Sequence, residues 1–580
     1  MSILSDETKI LPGLNEIIIA GTKVDKHELQ DLIEKEIKVA DQCIRFLELI
    51  GVKHIFGIQS SSNLPLYDAL CASEIRLIVP KNEAGAGYSV SKYAGVSGNL
   101  GVCILAGTVG LNNAIGGIGE AFVNKSSVLI ISGSPSRARL HRGGIQNLDT
   151  ISVTQSITKH SCLVNREEDV LPELLKAAVI ATTPPFGPVH ISIPVDIQCC
   201  TVSNVSKFTA EIDPFLPAYD RSALNAAIDL IDSVDAGIIY AGHGAKKYSS
   251  LLKDLARKLG WPVIATPRGK GILEDDFELY MGNYGMFCAD FTKQFVEEYK
   301  PGCLLILGTG LKEVSITDFD DRLLKDKKII HIDSDRKELN KVFEVDLPVY
   351  FDLGMAFPAL IAECQPKPRV SFQKTMFNQP YKKNHSGASV RYFLEQLSEY
   401  FPEKSIILSD IGEFMTFVFK YLPIKKDLYF DISTNYAAMG NAVGGSLGAC
   451  LSLPDYQTIV ITGDGGFFMN GMEILTAHEY NLPIIYVIIN NAMLGFVVNG
   501  LKVLMGRTND HAMQKRIELA EMYKVAGIPG LTIRENEDLA QIPGFISGLD
   551  GPCIIELVID NSEQSPMMDR LLMLKQIYDV

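Results

Sequence analysis

Short apolar runs recur along the chain, and between them apolar and polar positions repeat with helical spacing. Residues 36–200 carry IRLIV at 75–79, GVCILA at 101–106 and SVLIIS at 127–132. Residues 218–362 repeat the alternation with AGIIYAG at 236–242, WPVIAT at 261–266, CLLILG at 303–308 and KIIHID at 328–333. Residues 388–562 do so again with SIILSD at 405–410, QTIVITG at 457–463, PIIYVIIN at 483–490 and CIIELVI at 553–559. Runs this short and this apolar suit strands buried on both faces, and strand–helix alternation at this spacing predicts parallel α/β sheets. Three doubly wound parallel-sheet domains are therefore expected, over 36–200, 218–362 and 388–562.

The segments between these blocks differ in composition. Residues 201–217 are mixed and polar, and 365–387 are basic, proline-containing and aperiodic, so both read as linkers. The charged stretch VDKHELQDLIEKEIKVA reads as a helix packing on the first block. A chain of 580 residues exceeds one hydrophobic core, in keeping with several domains.

Composition narrows the function classes. Hydrophobic residues make up 47% and charged residues 21%, with a formal net charge of −15. Without clustered Lys and Arg, so acidic a chain is a poor partner for nucleic acid or anionic membranes. No apolar stretch reaches the roughly 18 residues of a membrane span. MSILSDETKI has neither the basic nor the apolar region of a signal peptide. The eleven cysteines include no CxxC and suit reduced thiols, so a cytoplasmic location is expected.

The strongest chemical signal runs from 457 to 496. An apolar strand ends at Gly463-Asp464-Gly465, a helical segment follows with Met472, Leu475 and Ala477 on its apolar side, and a second strand ends at Asn490-Asn491. In a right-handed βαβ unit both strand ends fall on the carboxyl edge of one sheet, where open α/β sheets bind ligands. The Asp464 carboxylate, the Asn491 amide oxygen and the Met493 carbonyl offer three hard oxygen ligands. Magnesium prefers six oxygens and takes the rest from water and phosphate. Gly463, Gly465 and Gly466 let the backbone approach a diphosphate closely.

This segment resembles the signature of the thiamine diphosphate-dependent enzymes, and its flanks are similar to the acetolactate synthase-like branch. The resemblance extends over residues 36–565. It implies pyrimidine-binding, central and diphosphate-binding domains, with Asp464, Asn491 and the Met493 carbonyl on Mg2+. Asp410 and Gly412, at the end of SIILSD, would contact the cofactor. Glu83, in IVPKNEAGAGYSVSKYAG, would share a proton with a ring nitrogen of the cofactor's aminopyrimidine, a task that suits a buried glutamate with a raised pKa. Met439, in TNYAAMGNAVGG, would lie under the cofactor and hold it bent. Gln146 matches a glutamine near the substrate in the synthases, Lys159-His160 matches a Thr-Lys-His word of theirs, and Gly107-Thr108-Val109-Gly110 is an altered form of their pocket loop.

Some positions depart from that branch. The synthases' Gln-His-Gln run is Glu413-Phe414-Met415 here, and their acceptor-recognising tryptophan falls near Gly500. Both changes point away from two pyruvates and towards a bulkier acceptor or simple decarboxylation. The resemblance implies that some relatives bind FAD in the central domain; the nucleotide-like turns GHGAKK (242–247) and LGTGLKE (307–313) survive here, but an arginine of the synthases is Gly310, so FAD is a doubtful second cofactor.

The expected activity is decarboxylation of a 2-oxo acid and ligation of the acyl carbanion to a carbonyl acceptor. The alternatives are a flavin-dependent 2-oxo-acid oxidase and a non-catalytic regulatory homologue. The resemblance further implies a homodimer or homotetramer, with Glu83 from one chain facing the metal site of another.

Overall fold

A computed structural model of the chain describes residues 17–19, 22–140, 142–202, 217–370, 372, 378–383, 385–508 and 510–578. The N-terminal decapeptide and most of the 201–217 linker lie outside these residues.

Three parallel six-stranded sheets carry the fold, as the apolar runs predicted. The first holds β1 (His54–Phe56), β2 (Arg76–Ile78), β3 (Gly101–Leu105), β4 (Val128–Ser134), β5 (His160–Leu163) and β6 (Val189–Pro194), in the order β2-β1-β3-β4-β6-β5. The second holds β7 (Gly237–Ala241), β8 (Val263–Ala265), β9 (Tyr280–Asn283), β10 (Cys303–Leu307), β11 (Lys328–Asp333) and β12 (Leu347–Tyr350), in the order β9-β8-β7-β10-β11-β12. The third holds β13 (Ser405–Ser409), β14 (Leu428–Ile432), β15 (Gln457–Gly463), β16 (Ile484–Asn490), β17 (Gly530–Ile533) and β18 (Cys553–Val558), in the order β14-β13-β15-β16-β18-β17.

The first and third sheets thus share one strand order, and the middle sheet has another. Every strand named from the sequence lies in a sheet. Such strands are buried on both faces because helices cover both sides, so their residues read as continuous apolar runs. Val102, Ile104, Ile130, Val460 and Val487 are all fully buried. The strands that no apolar run announced include β5, β14 and β17, which lie at sheet edges and are partly exposed.

Five helices matter for the site: α1 (Glu83–Ser97), α2 (Val109–Asn124), α3 (Asp464–Asn470), α4 (Glu473–Glu479) and α5 (Gly495–Met505). The segment after Gly463 is thus two short helices, and the predicted apolar side is corrected. Met472 is exposed, whereas Glu473, Ile474, Thr476 and Ala477 are buried. Gly471 and Met472 interrupt the helix, so the face of α4 is set afresh.

The chain forms two compact units. One comprises residues 1–217 with 444–454 and 470–480; the other comprises 218–443, 455–469 and 481–580. In the first, the helix Lys26–Glu34 buries Leu29, Leu32 and Ile33 in the core of the β1–β6 sheet, as expected for the N-terminal extension. In the second, the middle sheet and the third each have their own core.

Candidate active site

In the third sheet β15 and β16 are direct parallel neighbours, with Gly463 opposite Ile489. Asp464 and Asn491 therefore emerge side by side at the carboxyl edge. β13 adjoins β15 on the other side and β18 adjoins β16, so four strand ends deliver their loops to one place. The strand order reverses between β13 and β15, the kind of point at which doubly wound sheets bind ligands. A cavity of about 130 Å³ opens there, and Gly412, Met439, Gly463, Asp464, Gly465, Gly466, Asn491 and Met493 all line it.

Asp464 is 4% exposed. Burial pushes its carboxyl up to about 6, against backbone N–H groups of Gly465, Asp464 itself and Ala492 that donate to it. The Ala492 bond ties the two strand ends together, and Ala492 accordingly adopts the left-handed φ of +53°. No salt bridge neutralises Asp464 among the described residues; the charge of Arg516 is the weakest influence on it. A buried carboxylate without a counter-charge suits a cation. Asn491 Oδ1 accepts from the Met493 N–H at 3.2 Å and keeps a second lone pair, while Asn561 Nδ2 donates to the Asn491 carbonyl at 3.1 Å. A carboxylate, an amide oxygen and a carbonyl in one loop cluster fit the hard-oxygen set of Mg2+.

Asp410 takes a different part. Fully buried, its carboxylate accepts from the Gly440 N–H at 2.8 Å, Asn441 Nδ2 at 3.0 Å and Thr462 Oγ1 at 2.8 Å. Burial pushes it up to about 6, and these bonds oppose the shift. It pins the Met439–Gly440 turn to the ends of β13 and β15. Gly466 lies against it, so a side chain there would overlap Asp410 Oδ2. Gly463, by contrast, has ordinary space for a Cβ, with Phe414 at 3.6 Å. Met439 Cε lies 3.5 Å from where a Gly465 Cβ would stand.

Glu413, noted from the sequence only as a departure from the synthases, and Glu563, which the sequence did not single out, complete the cavity. Glu413 Oε1 accepts from Asn499 Nδ2 at 2.7 Å and Ser565 Oγ at 2.6 Å. Glu563, also on the wall, caps the helix Val390–Glu395 by accepting from Ser389 Oγ at 2.7 Å and the Val390 N–H at 2.8 Å. Their hydrogen-bond partners lie far away in sequence, so no local pattern reveals these roles.

The first unit carries the remaining candidates. Glu83 opens α1, and its Oε2 accepts from Asn113 Nδ2 of α2 at 3.0 Å. A Cβ on Gly110 would lie 3.1 Å from Glu83 Oε1. Thr108 Oγ1 donates to the Gln146 carbonyl at 2.6 Å, and Gln146 has φ +57°. Glu83, the 107–110 loop and Gln146 are thus gathered on one face. The expected burial of Glu83 is corrected: it is partly exposed in the single chain, because α1 begins at the unit's surface. Val109 and Ile145 on these loops are 53% and 91% exposed. Lys159 has a local role in the described residues. Its ammonium donates to the carbonyls of Ile180 and Thr183 at the end of the helix Val170–Thr182, a favourable place for a cation.

Another cluster of metal-ligand types, His160, Cys162 and Glu173, already has the Lys176 ammonium 3.5 Å from Glu173. In the middle sheet the two glycine turns pack on each other, with the Gly244 N–H donating to the Gly308 carbonyl at 3.1 Å. A side chain at Gly310 would overlap the Glu338 carboxylate.

Known proteins resemble the chain domain by domain. Residues 37–153 match the N-terminal TPP binding domain of thiamine pyrophosphate enzymes, 224–360 the central domain and 410–557 the C-terminal TPP binding domain. The chain is 29% identical to a probable acetolactate synthase large subunit of Methanocaldococcus jannaschii, over 92% of this chain and 93% of that one. It is 28% identical to the acetolactate synthase large subunit of Lactococcus lactis, over 92% and 94%. With the isozyme 1 large subunit of Escherichia coli it shares 27%, over 80% and 83%. The chain belongs to the thiamine pyrophosphate enzyme family and is a thiamine diphosphate-dependent enzyme of its acetolactate synthase-like branch.

Proposed function

We propose that the enzyme decarboxylates a 2-oxo acid and joins the acyl fragment to an uncharged carbonyl acceptor, in dependence on Mg2+. The observation that carries this reading is the convergence of Asp464, Asn491, Met439 and Glu413 on one cavity at a strand-order reversal. Residues 36–200, 218–362 and 388–562 serve as the pyrimidine-binding, central and diphosphate-binding domains.

Asp464, the Asn491 side-chain oxygen and the Met493 carbonyl would hold the metal that anchors the diphosphate. Gly412, Gly463, Gly465 and Gly466 leave that wall free of side chains. Thiamine diphosphate, when bound, supplies the sink for the electrons left when the substrate carboxylate departs. Glu83 would exchange a proton between its carboxyl oxygen and a ring nitrogen of the bound pyrimidine, with Asn113 steadying its other oxygen. Met439, on the cavity wall, would support the cofactor from below. Gln146 faces the substrate from the loop that Thr108 tethers.

Glu413 bears on the acceptor. A carboxylate on the cavity wall repels a second anionic 2-oxo acid and leaves a neutral aldehyde or ketone unopposed. The apolar Phe414, Phe417 and Leu494 on the same wall suit such an acceptor. Exposed Val109 and Ile145 beside Glu83 support a second copy of the chain covering that face, in a dimer or tetramer. The flavin reading has no observation in its favour, since the middle-sheet glycines are used in packing and Glu338 is a poor neighbour for a dinucleotide.

Calorimetric titration of the apoprotein with thiamine diphosphate, with and without Mg2+, tests the first half. A screen of 2-oxo acids with neutral and anionic carbonyl acceptors, read by product mass, tests the second. Metal-independent binding, or ligation only to a second 2-oxo acid, would defeat the proposal.

A further inference from the structure

Glu473 opens α4 and is 2% exposed. It lies in the same compact unit as Glu83, because residues 470–480 belong with residues 1–217. Its carboxylate accepts from the Lys81 N–H at 3.1 Å through both oxygens, from the Asn82 N–H at 3.1 Å and from Thr476 Oγ1 at 2.9 Å. Lys81 and Asn82 are the two residues immediately before Glu83. Gly85, two residues beyond it, is held clear for the same group, since a side chain there would overlap Glu473 Oε1.

The peptide planes at 81 and 82 set the direction in which Glu83 leaves the start of α1. Glu473 orients both planes by accepting their N–H groups, and Asn82 Oδ1 completes the cap by accepting from the Ala84 N–H at 2.8 Å. Glu83 then meets Asn113 at 3.0 Å. The segment also has anchors that do not involve Glu473. Tyr480 Oη accepts from the Val79 N–H at 3.0 Å, the Arg76 guanidinium lies 5.3 Å above the Tyr480 ring, and Lys81 Nζ pairs with Glu479 at 2.5 Å. Attachment of 76–82 to α4 is therefore shared among several contacts, whereas control of the two peptide planes rests on one carboxylate.

We infer that Glu473 is a positioning residue for Glu83: it fixes the turn from which Glu83 projects, without itself touching the cofactor. The inference rests on the proton-exchanging role given to Glu83 above.

The test compares wild type, Glu473→Gln, Glu83→Gln and Gly85→Ala, each loaded with thiamine diphosphate and Mg2+. Three quantities are read: kcat on the best 2-oxo acid, cofactor affinity by calorimetry, and the near-ultraviolet circular dichroism of the bound pyrimidine. Glu473→Gln keeps the volume and one acceptor but turns an amide N–H2 towards the backbone donors. Its kcat is expected to fall about tenfold or more, with the dichroism shifted towards that of Glu83→Gln, while affinity and melting temperature change little. Gly85→Ala leaves Glu473 in place and presses on its carboxylate, so it should give the same signature if Glu473→Gln folds poorly. Wild-type kcat and dichroism in both variants would overturn the inference. So would a loss of kcat that only follows loss of affinity and melting temperature, which is the mark of a purely structural tie. A fully active Glu83→Gln would instead overturn the role of Glu83.

Discussion

The carboxylate of Glu413 lies so close over Gly495 that no side chain fits between them. Asn499 and Ser565 hold that carboxylate by hydrogen bonds of 2.7 and 2.6 Å, one from α5 and one from the segment after β18. Glycine at 495 thus lets α5 begin against the cavity wall. A methyl group there would gain about 1 kcal/mol of helix propensity but cost about 1–3 kcal/mol in overlap. Gly495→Ala should therefore lower the melting temperature slightly and disturb Glu413. Glu413→Gln removes the charge and keeps the shape. It should raise the use of anionic over neutral acceptors about tenfold, measured as a ratio of kcat/KM values. An unchanged ratio would exclude Glu413 from acceptor choice.

Asp464→Asn preserves volume and removes the charge offered to the metal. Cofactor affinity in the presence of Mg2+ should drop about 100-fold or more, and chelation should produce a similar loss in wild type. Saturating cofactor and Mg2+ should stabilise wild type by about 2.7 kcal/mol at a ligand concentration 100 times Kd, and Asp464→Asn far less. Thermal shift with and without Mg2+ reads both effects. Equal shifts in the two proteins would remove Asp464 from the metal site.

Met439 stands at the cavity with its Cε near Gly465, on a turn pinned by Asp410. Met439→Ala should cost about 2 kcal/mol or less in stability, because the side chain is only partly buried. Its kcat should fall much more than its cofactor affinity, since shape rather than attachment is lost. Parallel loss of both would mark Met439 as ordinary packing.

Acid stability has an identifiable contributor in the first unit. His190 is fully buried between Ser132 Oγ at 2.7 Å and the hydroxyls of Thr154 and Ser161, both at 2.9 Å, and burial holds it down to about 3. Below pH 6.5 the unfolded chain takes up a proton that the folded chain refuses. Stability should therefore fall as pH drops from about 6.5 towards 3, by about 1.4 kcal/mol per pH unit from this group. His190→Gln should unfold more readily at pH 7.5 but lose less on going to pH 5.5, as read by urea titration at the two values. An identical pH dependence would dismiss His190 as the source.

Some of the molecule was legible without coordinates. Strands such as β3, β15 and β16 are buried on both faces, and burial on both faces writes itself as a continuous apolar run. Edge strands such as β5 and β17 are partly exposed and wrote no such run. The face of α4 was misread because Gly471 and Met472 break the helix, and the break shifts which residues turn inward. A buried acid, Glu473, beside Ile474 and Ala477 was a signal that a search for apolar periodicity passes over.

The sequence by itself determined the alternation of strands and helices, and it put Asp464 and Asn491 at the ends of two apolar strands, because both are matters of local order along the chain. Only the tertiary structure decided that β15 and β16 are neighbours, that Asp410 serves the backbone of the Met439 turn, that Glu413 leans on Gly495, and that Glu473 reaches back to the turn before Glu83. These last relations join residues between 26 and 392 positions apart. Such contacts form only after the sheets have brought distant loops to a common edge, so no spacing in the chain encodes them.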